Sequence, residues 1–310
     1  MLLSRVAEHL YWGSRYMERA DDTARVVRTF TEVILDLPTG VESSWEPLLA
    51  IAGSREAFDA GHARAHESDV VRFLVADLNN YGSVVSSVGR ARENLRTTRE
   101  VLPREAWQVV NDLYLYTSRD AEIGVDRRSR SRFLTRVISE HQRFDGVLSG
   151  AMQRDEAYEL WRLGQAIERA DMTTRVLGVR AAALLSAPDD VEDYDEVQWM
   201  GVLRSLSALQ MYQRATRGPI DAGGVVAFLM FDERFPRSVA GCLRRIEVSL
   251  QRLPRPERTL PVVATVLEGL GRMSTDASDG VSLDAAMDVL QVGLARLNAA
   301  VHDTFVLGAE

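Results

Sequence analysis

One helical segment occurs twice in this chain, and that repetition constrains the fold more than any other feature of the sequence. Residues 10–27 read LYWGSRYMERADDTARVV and residues 160–177 read LWRLGQAIERADMTTRVL. At an offset of 150, eight of eighteen positions coincide: Leu10/Leu160, Glu18/Glu168, Arg19/Arg169, Ala20/Ala170, Asp21/Asp171, Thr23/Thr173, Arg25/Arg175 and Val26/Val176. A second block, VVRFLVADLNNYGSV (70–84), matches VVAFLMFDERFPRSV (225–239) at an offset of 155, and Trp45 answers Trp199. The repeat predicts two like halves, about 1–150 and 151–310, inside a single domain spanning 1–310.

The period within each copy is helical. Val6, Leu10, Gly13, Met17, Ala20, Ala24 and Val27 step by four and three, one stripe of a helix. No proline interrupts 4–36, and the breaker cluster Leu37-Pro38-Thr39-Gly40 ends it. Such a helix is roughly 50 Å long and needs neighbours along its length. Its second copy runs over 155–186, stops at Ala187-Pro188 and is followed by an acidic connection at 189–196. Each half then offers a tryptophan-led helix (44–59 and 197–213), a short apolar helix (68–77 and 224–232) and a serine-started helix (83–102 and 238–253). Two closing helices follow, at 104–117 and 130–153 in one half and at 256–273 and 282–305 in the other. Alternating runs bounded by turns are absent from the sequence. The expectation is an all-α fold of about twelve helices, two six-helix halves related by a pseudo-two-fold in one helical body. The two long rods lie side by side at its centre, brought close by the small residues Gly13, Ala20, Ala24, Ala170 and Thr174.

A net charge of −8 argues against a nucleic-acid surface. The exception is a basic run, RRSRSR at 127–132, read as a solvated helix start or a partner contact. All 37 basic residues are arginine. Without lysine there is no P-loop ammonium and no Schiff base. The one cysteine, Cys242, builds no disulfide or zinc cluster within the chain and suits a reducing compartment. Charges come too early at the N-terminus for a signal peptide, and the apolar runs at 222–231 and 259–267 are too short for a membrane span. These features together predict a cytoplasmic protein.

The repeated E-R-A-D-x-T-x-R is the sharpest candidate site. Arg15, Glu18, Asp22 and Arg25 form a polar stripe beside the apolar one. In the second copy Glu168, Arg169 and Arg175 persist, while Gln165 and Met172 replace Arg15 and Asp22. Two readings follow. Glu and Arg at matching places pair across packed helices and fix register. Alternatively the stripe lines a cleft and binds a carboxylate or phosphate through Arg15, Arg19 or Arg25. A second candidate is the loop DLNNYGS with the helix behind it. Ser83 and Ser238 sit where a side-chain oxygen caps a helix, and Asn80, Arg92 and Arg96 with that helix start are suited to an anion. His62 and His66 have ligand spacing but lie in a loop-like stretch, which favours an exposed pair without metal. His9, His141 and His302 stand alone, E-x-x-H pairs are missing, and no nucleotide or nucleophile motif occurs. No cofactor is expected.

Taken together, LLSRVAEHLYWGSRYMERADDTARVV, SSWEPLL, DLNNYGSVVSSVGRARENLRTTRE, IERADMTTRVL and DERFPRSVAGCL resemble the bacterial alpha-E domain family over nearly the whole chain. Tyr81-Gly82 departs from it, where relatives tend to carry a proline after the asparagines. The resemblance implies a protein encoded with, or fused to, a circularly permuted ATP-grasp protein of the peptide or amide ligase type. Transglutaminase-like peptidases are also found nearby. It carries no catalytic residue. The expected function is a non-catalytic helical partner of that ligase in peptide synthesis or modification. The alternatives are an amide-forming or hydrolysing enzyme, or a small-anion binder, using the Glu/Arg cluster.

Overall fold

The computed structural model describes residues 2–36, 44–186, 195–273 and 280–307. Among them it contains α-helices, a few single helical turns and no strand. The two rods are α1 (Ser4–Asp36) and α8 (Glu156–Ser186), close to their expected bounds. After α1 come α2 (Glu46–Ile51), α3 (Arg55–Asp59), α4 (Glu67–Val75), α5 (Val84–Arg96), α6 (Arg104–Val125) and α7 (Arg130–Ala151). After α8 come α9 (Asp195–Ser205), α10 (Leu209–Thr216), α11 (Ala222–Phe231), α12 (Val239–Arg252), α13 (Leu260–Gly271) and α14 (Gly280–His302), with a π-turn at Asp303–Leu307. The two breaker clusters and residues 189–194 of the acidic connection lie outside the described residues.

Among the described residues, fourteen α-helices replace the expected twelve because both tryptophan-led helices split. Gly53, at φ +61°, breaks the first between α2 and α3; Ser207, at φ +53°, breaks the second between α9 and α10. That left-handed conformation cannot continue a right-handed helix. The serine-started helices begin as expected. Ser83 accepts a hydrogen bond from Ser86 N, and Ser238 from Gly241 N.

The rods run parallel and nearly in register. Leu2 N donates to Glu156 Oε2 at 2.8 Å near one end, and Glu18 meets Arg169 further along. Between these points Gly164 brings the two backbones together. A Cβ there would overlap Ser14 Oγ and sit 2.6 Å from Tyr11 O. Gly13, expected at this contact, instead faces α5, where a Cβ would lie 3.1 Å from Leu95 Cδ2. The contact glycine thus comes from α8, one position further along the aligned repeat. Around the rods, α5 and α7 pack on α1, while α12 and α14 pack on α8; α6 and α13 close the outer side of each group. Trp45 and Trp199 are buried, as are the apolar faces of α5 and α12.

Substituting Gly164 by alanine therefore forces the rods apart and should cost about 1–3 kcal/mol in urea denaturation. The control Gly269→Ala, whose Cβ would meet nothing within 4 Å, should be neutral or slightly stabilising. Equal stability of the two variants would contradict the close contact at Gly164.

Candidate functional site

Glu18, Asp21 and Asp22 occupy positions i, i+3 and i+4 of α1, so their carboxylates project from one face. All three are fully or almost fully buried. Three buried anions require compensation from neighbouring elements. Arg237, in the loop leading into α12, pairs with all three: Nη1 donates to Asp22 Oδ1 at 2.6 Å, Nη2 donates to Asp21 Oδ2 at 2.8 Å, and Nη2 forms an ion pair with Glu18 Oε1 at 2.8 Å. Its own backbone carbonyl accepts from Thr173 Oγ1 on α8 at 2.8 Å, which fixes the loop to that rod. Arg169 on α8 donates through Nε to Glu18 Oε1 at 2.6 Å and through Nη2 to Asp145 Oδ2 on α7 at 3.2 Å. His141, one turn before Asp145, places Nε2 3.3 Å from Glu18 Oε2 and Nδ1 3.6 Å from Asp21 Oδ2.

The same exchange runs the other way between the rods. Glu168 on α8 accepts from Arg19 Nε at 2.6 Å and Arg15 Nε at 2.7 Å. Arg15 also donates to Asn298 on α14 at 2.6 Å, and Tyr11 OH donates to the same oxygen. Each Glu-Arg dipeptide therefore pairs its acid with the arginine of the opposite dipeptide and its base with the opposite acid, and Glu168 takes Arg15 of the opposite rod as well. The downstream Asp and Arg of the repeat pair along their own helix, Arg25 with Asp21 at 2.7 Å and Arg175 with Asp171 at 3.0 Å. Both arginines then reach a helix break in the other half. Arg25 donates to Ser207 Oγ, and the Arg175 guanidinium lies where a Cβ on Gly53 would be.

Burial and the carboxylates of Glu18 and Asp21 push Asp22 up to about 7, against the pull of Arg237. For His141, burial acts to lower the pKa, but Asp21 and Glu18 outweigh it and raise the imidazole to about 9. Glu18 and Asp21 are held below the ordinary carboxylate range despite burial, Glu18 by Arg169 and Arg237, Asp21 by His141, Arg25 and Arg237. Burial pushes the nearby Cys242 thiol up to about 12, so it stays a protonated, inert thiol. Glu18, His141 and Asp145 each bring one ligand atom within 4.8 Å of the others, as do Glu18, Asp21 and Asp22. These are the sets that could hold a cation. The arginines already donating to the same carboxylates supply that positive charge from within the chain.

Of the expected site residues, the structure gathers Arg15, Glu18, Arg19, Asp22, Arg25, Glu168 and Arg169 into this network. Arg175 makes the mirrored pair at the second helix break. Asn80 and Ser83 stay in the capping loop, where Asn80 Nδ2 donates to Phe73 O and its Oδ1 accepts from Gly82 N. Arg92 lies over the Trp107 and Tyr114 rings and bonds Asn111 and Glu93; Arg96 bonds Glu93 at the surface. His62 stacks on Phe58 at 4.2 Å. His141, read as isolated, is instead inside the cluster. Arg237, Asp145 and Asn298 were also absent from the expected set. Asp21 had a signal, since Asp171 repeats it. Arg237 had none: it stands where the first half has Gly82.

The family described as "a predicted alpha-helical domain with a conserved ER motif" matches residues 2–306. The chain belongs to the Alpha-E family. Glu-Arg dipeptides stand at 18–19, 168–169, 233–234 and 257–258 of this chain, and the first two, those of the repeat, exchange partners between the rods. An uncharacterized protein of Mycobacterium bovis is 26% identical over 325 residues, covering 96% of this chain and 35% of its own length. An uncharacterized protein of Mycobacterium tuberculosis H37Rv is 25% identical with the same coverage. The chain thus spans about a third of the length of these relatives. No solved structure matches.

The pH dependence of this Alpha-E domain follows from His141. Folding raises its pKa from 6.5 to about 9, so its contribution is full below pH 6.5 and is lost as pH rises through 9. Asp22 acts in the same sense between 3.8 and about 7. The melting temperature should fall between pH 6.5 and 9, and His141→Gln should flatten that fall. An unchanged slope in the variant would place the titrating group elsewhere.

Proposed function

We propose that this Alpha-E domain is a non-catalytic helical partner of a circularly permuted ATP-grasp protein of the peptide or amide ligase type. The pathway makes or modifies a peptide-like product, and a transglutaminase-like peptidase is a further associate. One observation carries the reading. Both glutamates of the ER motif are buried and each is spent on two arginines of the same chain, Glu18 on Arg169 and Arg237, Glu168 on Arg15 and Arg19. Carboxylates held this way lock helices together, and their burial shields them from a substrate in solution. The mycobacterial relatives support the reading as well. A region that fills 35% of a longer chain works beside other sequence.

A second reading, an acid–base enzyme or small-anion binder, draws on Asp22. Its carboxyl is raised to about 7 by burial and by the carboxylates of Glu18 and Asp21. At 1% exposure it is shielded from any solute in the folded state, which places this reading second.

Co-expression with the ATP-grasp protein encoded alongside should give a complex that survives size-exclusion chromatography. Two independent species in every nucleotide state would overturn the partner reading. Glu18→Gln and Arg25→Gln should lower the melting temperature sharply, since breaking a buried pair costs about 3–5 kcal/mol. Loss of a pathway activity at an unchanged melting temperature would favour the enzyme reading instead.

A further inference from the structure

The basic run at 127–132 leads into α7; its Arg130 is not solvated as expected but buried, donating to Thr31 on α1 and to Glu67, while Arg127, Arg128 and Arg132 are exposed and lie outside the buried ion-pair network. The exposed side of α7 extends that charge. Arg132, Arg136, Ser139, Arg143, Gly146 and Gly150 are all exposed. At 100° per residue they fall within an arc of about 80°, forming one ridge roughly 27 Å long. Glu140, at the ridge's edge, lies 3.3 Å from Arg143 and 3.9 Å from Arg136, but its side chain is only 18% exposed. Arg132 makes no hydrogen bond or salt bridge among the described residues. Flanking Arg119 is paired with Asp120, and Arg127 lies 3.7 Å from Glu67. The ridge is thus a net positive strip on a chain whose total charge is −8.

The far end of the ridge carries an independent feature. Gly146 and Gly150 stand inside α7, where glycine weakens a helix. A Cβ on either would meet nothing within 4 Å, so packing within the chain does not require them. Small residues one turn apart are what a helix arriving from outside needs for close axial approach.

We infer that this ridge of α7 is the docking surface for an acidic helix of the partner protein. Carboxylates one turn apart on that helix meet Arg132, Arg136 and Arg143, and its backbone closes on Gly146 and Gly150. The inference rests on the partner reading above and adds where the partner sits and what it presents. An acidic protein is repelled by the bulk of this chain and attracted by this face, which orients the encounter.

The test uses the full chain titrated with the co-encoded ATP-grasp protein at about 50 and about 150 mM salt. One variant reverses the charges (Arg132→Glu, Arg136→Glu and Arg143→Glu together). The other fills the gap (Gly146→Leu with Gly150→Leu). Leucine is the better helix former, so the second variant should melt no lower than the parent chain. Both should weaken binding by about tenfold or more, and the charge variant should also lose the salt dependence. Parent-like affinity in both variants overturns the docking surface and leaves the partner reading standing. No complex with the parent chain overturns the partner reading and this surface with it. A labelled DNA duplex is titrated in parallel. Binding to it that charge reversal abolishes would assign the face to nucleic acid and overturn helix docking.

Discussion

The crossed exchange of Glu18 with Arg169 and of Glu168 with Arg19 is the constraint on which the rest of the structure depends. Two parallel helices of about 50 Å have many registers in which apolar stripes satisfy one another. Charges buried between them leave one. A slip of a single residue would strand the two buried carboxylates and part the Arg169 guanidinium from its partner, at several kcal/mol for each buried charge. The exchange therefore sets register, and register sets everything attached to the rods. Arg25 meets Ser207 and Arg175 lies on Gly53 only because the rods are aligned.

The two halves use this lock unequally. On one side Glu168 is closed by two arginines, with Asn298 behind them. On the other, Asp22 joins Glu18 and Asp21, and the added negative charge is balanced by Arg237 and a cationic His141. The second copy has Met172 where the first has Asp22, and it needs no such balance. The asymmetry places Asp22, raised to about 7, and His141, raised to about 9, on one side of the rod pair. It also leaves several polar atoms there, Glu18 Oε2, Asp21 Oδ1, Asp22 Oδ2 and His141 Nε2, without a hydrogen bond. An extra proton on Asp22 removes a charge that burial and the carboxylates of Glu18 and Asp21 disfavour, which is the physical sense of its raised pKa.

The all-helical class and the pairing of the rods were legible because they rest on local period and on residues present twice. The bounds of α1 and α8 followed from breakers. The helix breaks did not. Gly53 was visible as a glycine, but its left-handed φ serves an arginine 122 positions away, and Ser207 carries no such mark. Gly13 lies on the apolar stripe, which points to it as the rod contact. That stripe spans more than one neighbour, and Gly164 makes the contact instead. Half of the buried cluster was legible in the ER repeat. The rest, His141 and Arg237 above all, arrives from elements far along the chain, and a single polar residue on an apolar face does not announce which charges it will face.

A double-mutant cycle on Glu18 and Arg169, with Glu18→Gln, Arg169→Met and their combination followed by urea denaturation, addresses the register lock directly. A structural exchange predicts strong coupling, about 1–3 kcal/mol, with the combined variant more stable than the sum of single losses allows. Additive losses, with no coupling between the two side chains, would show that the ER motif does not hold the rods together.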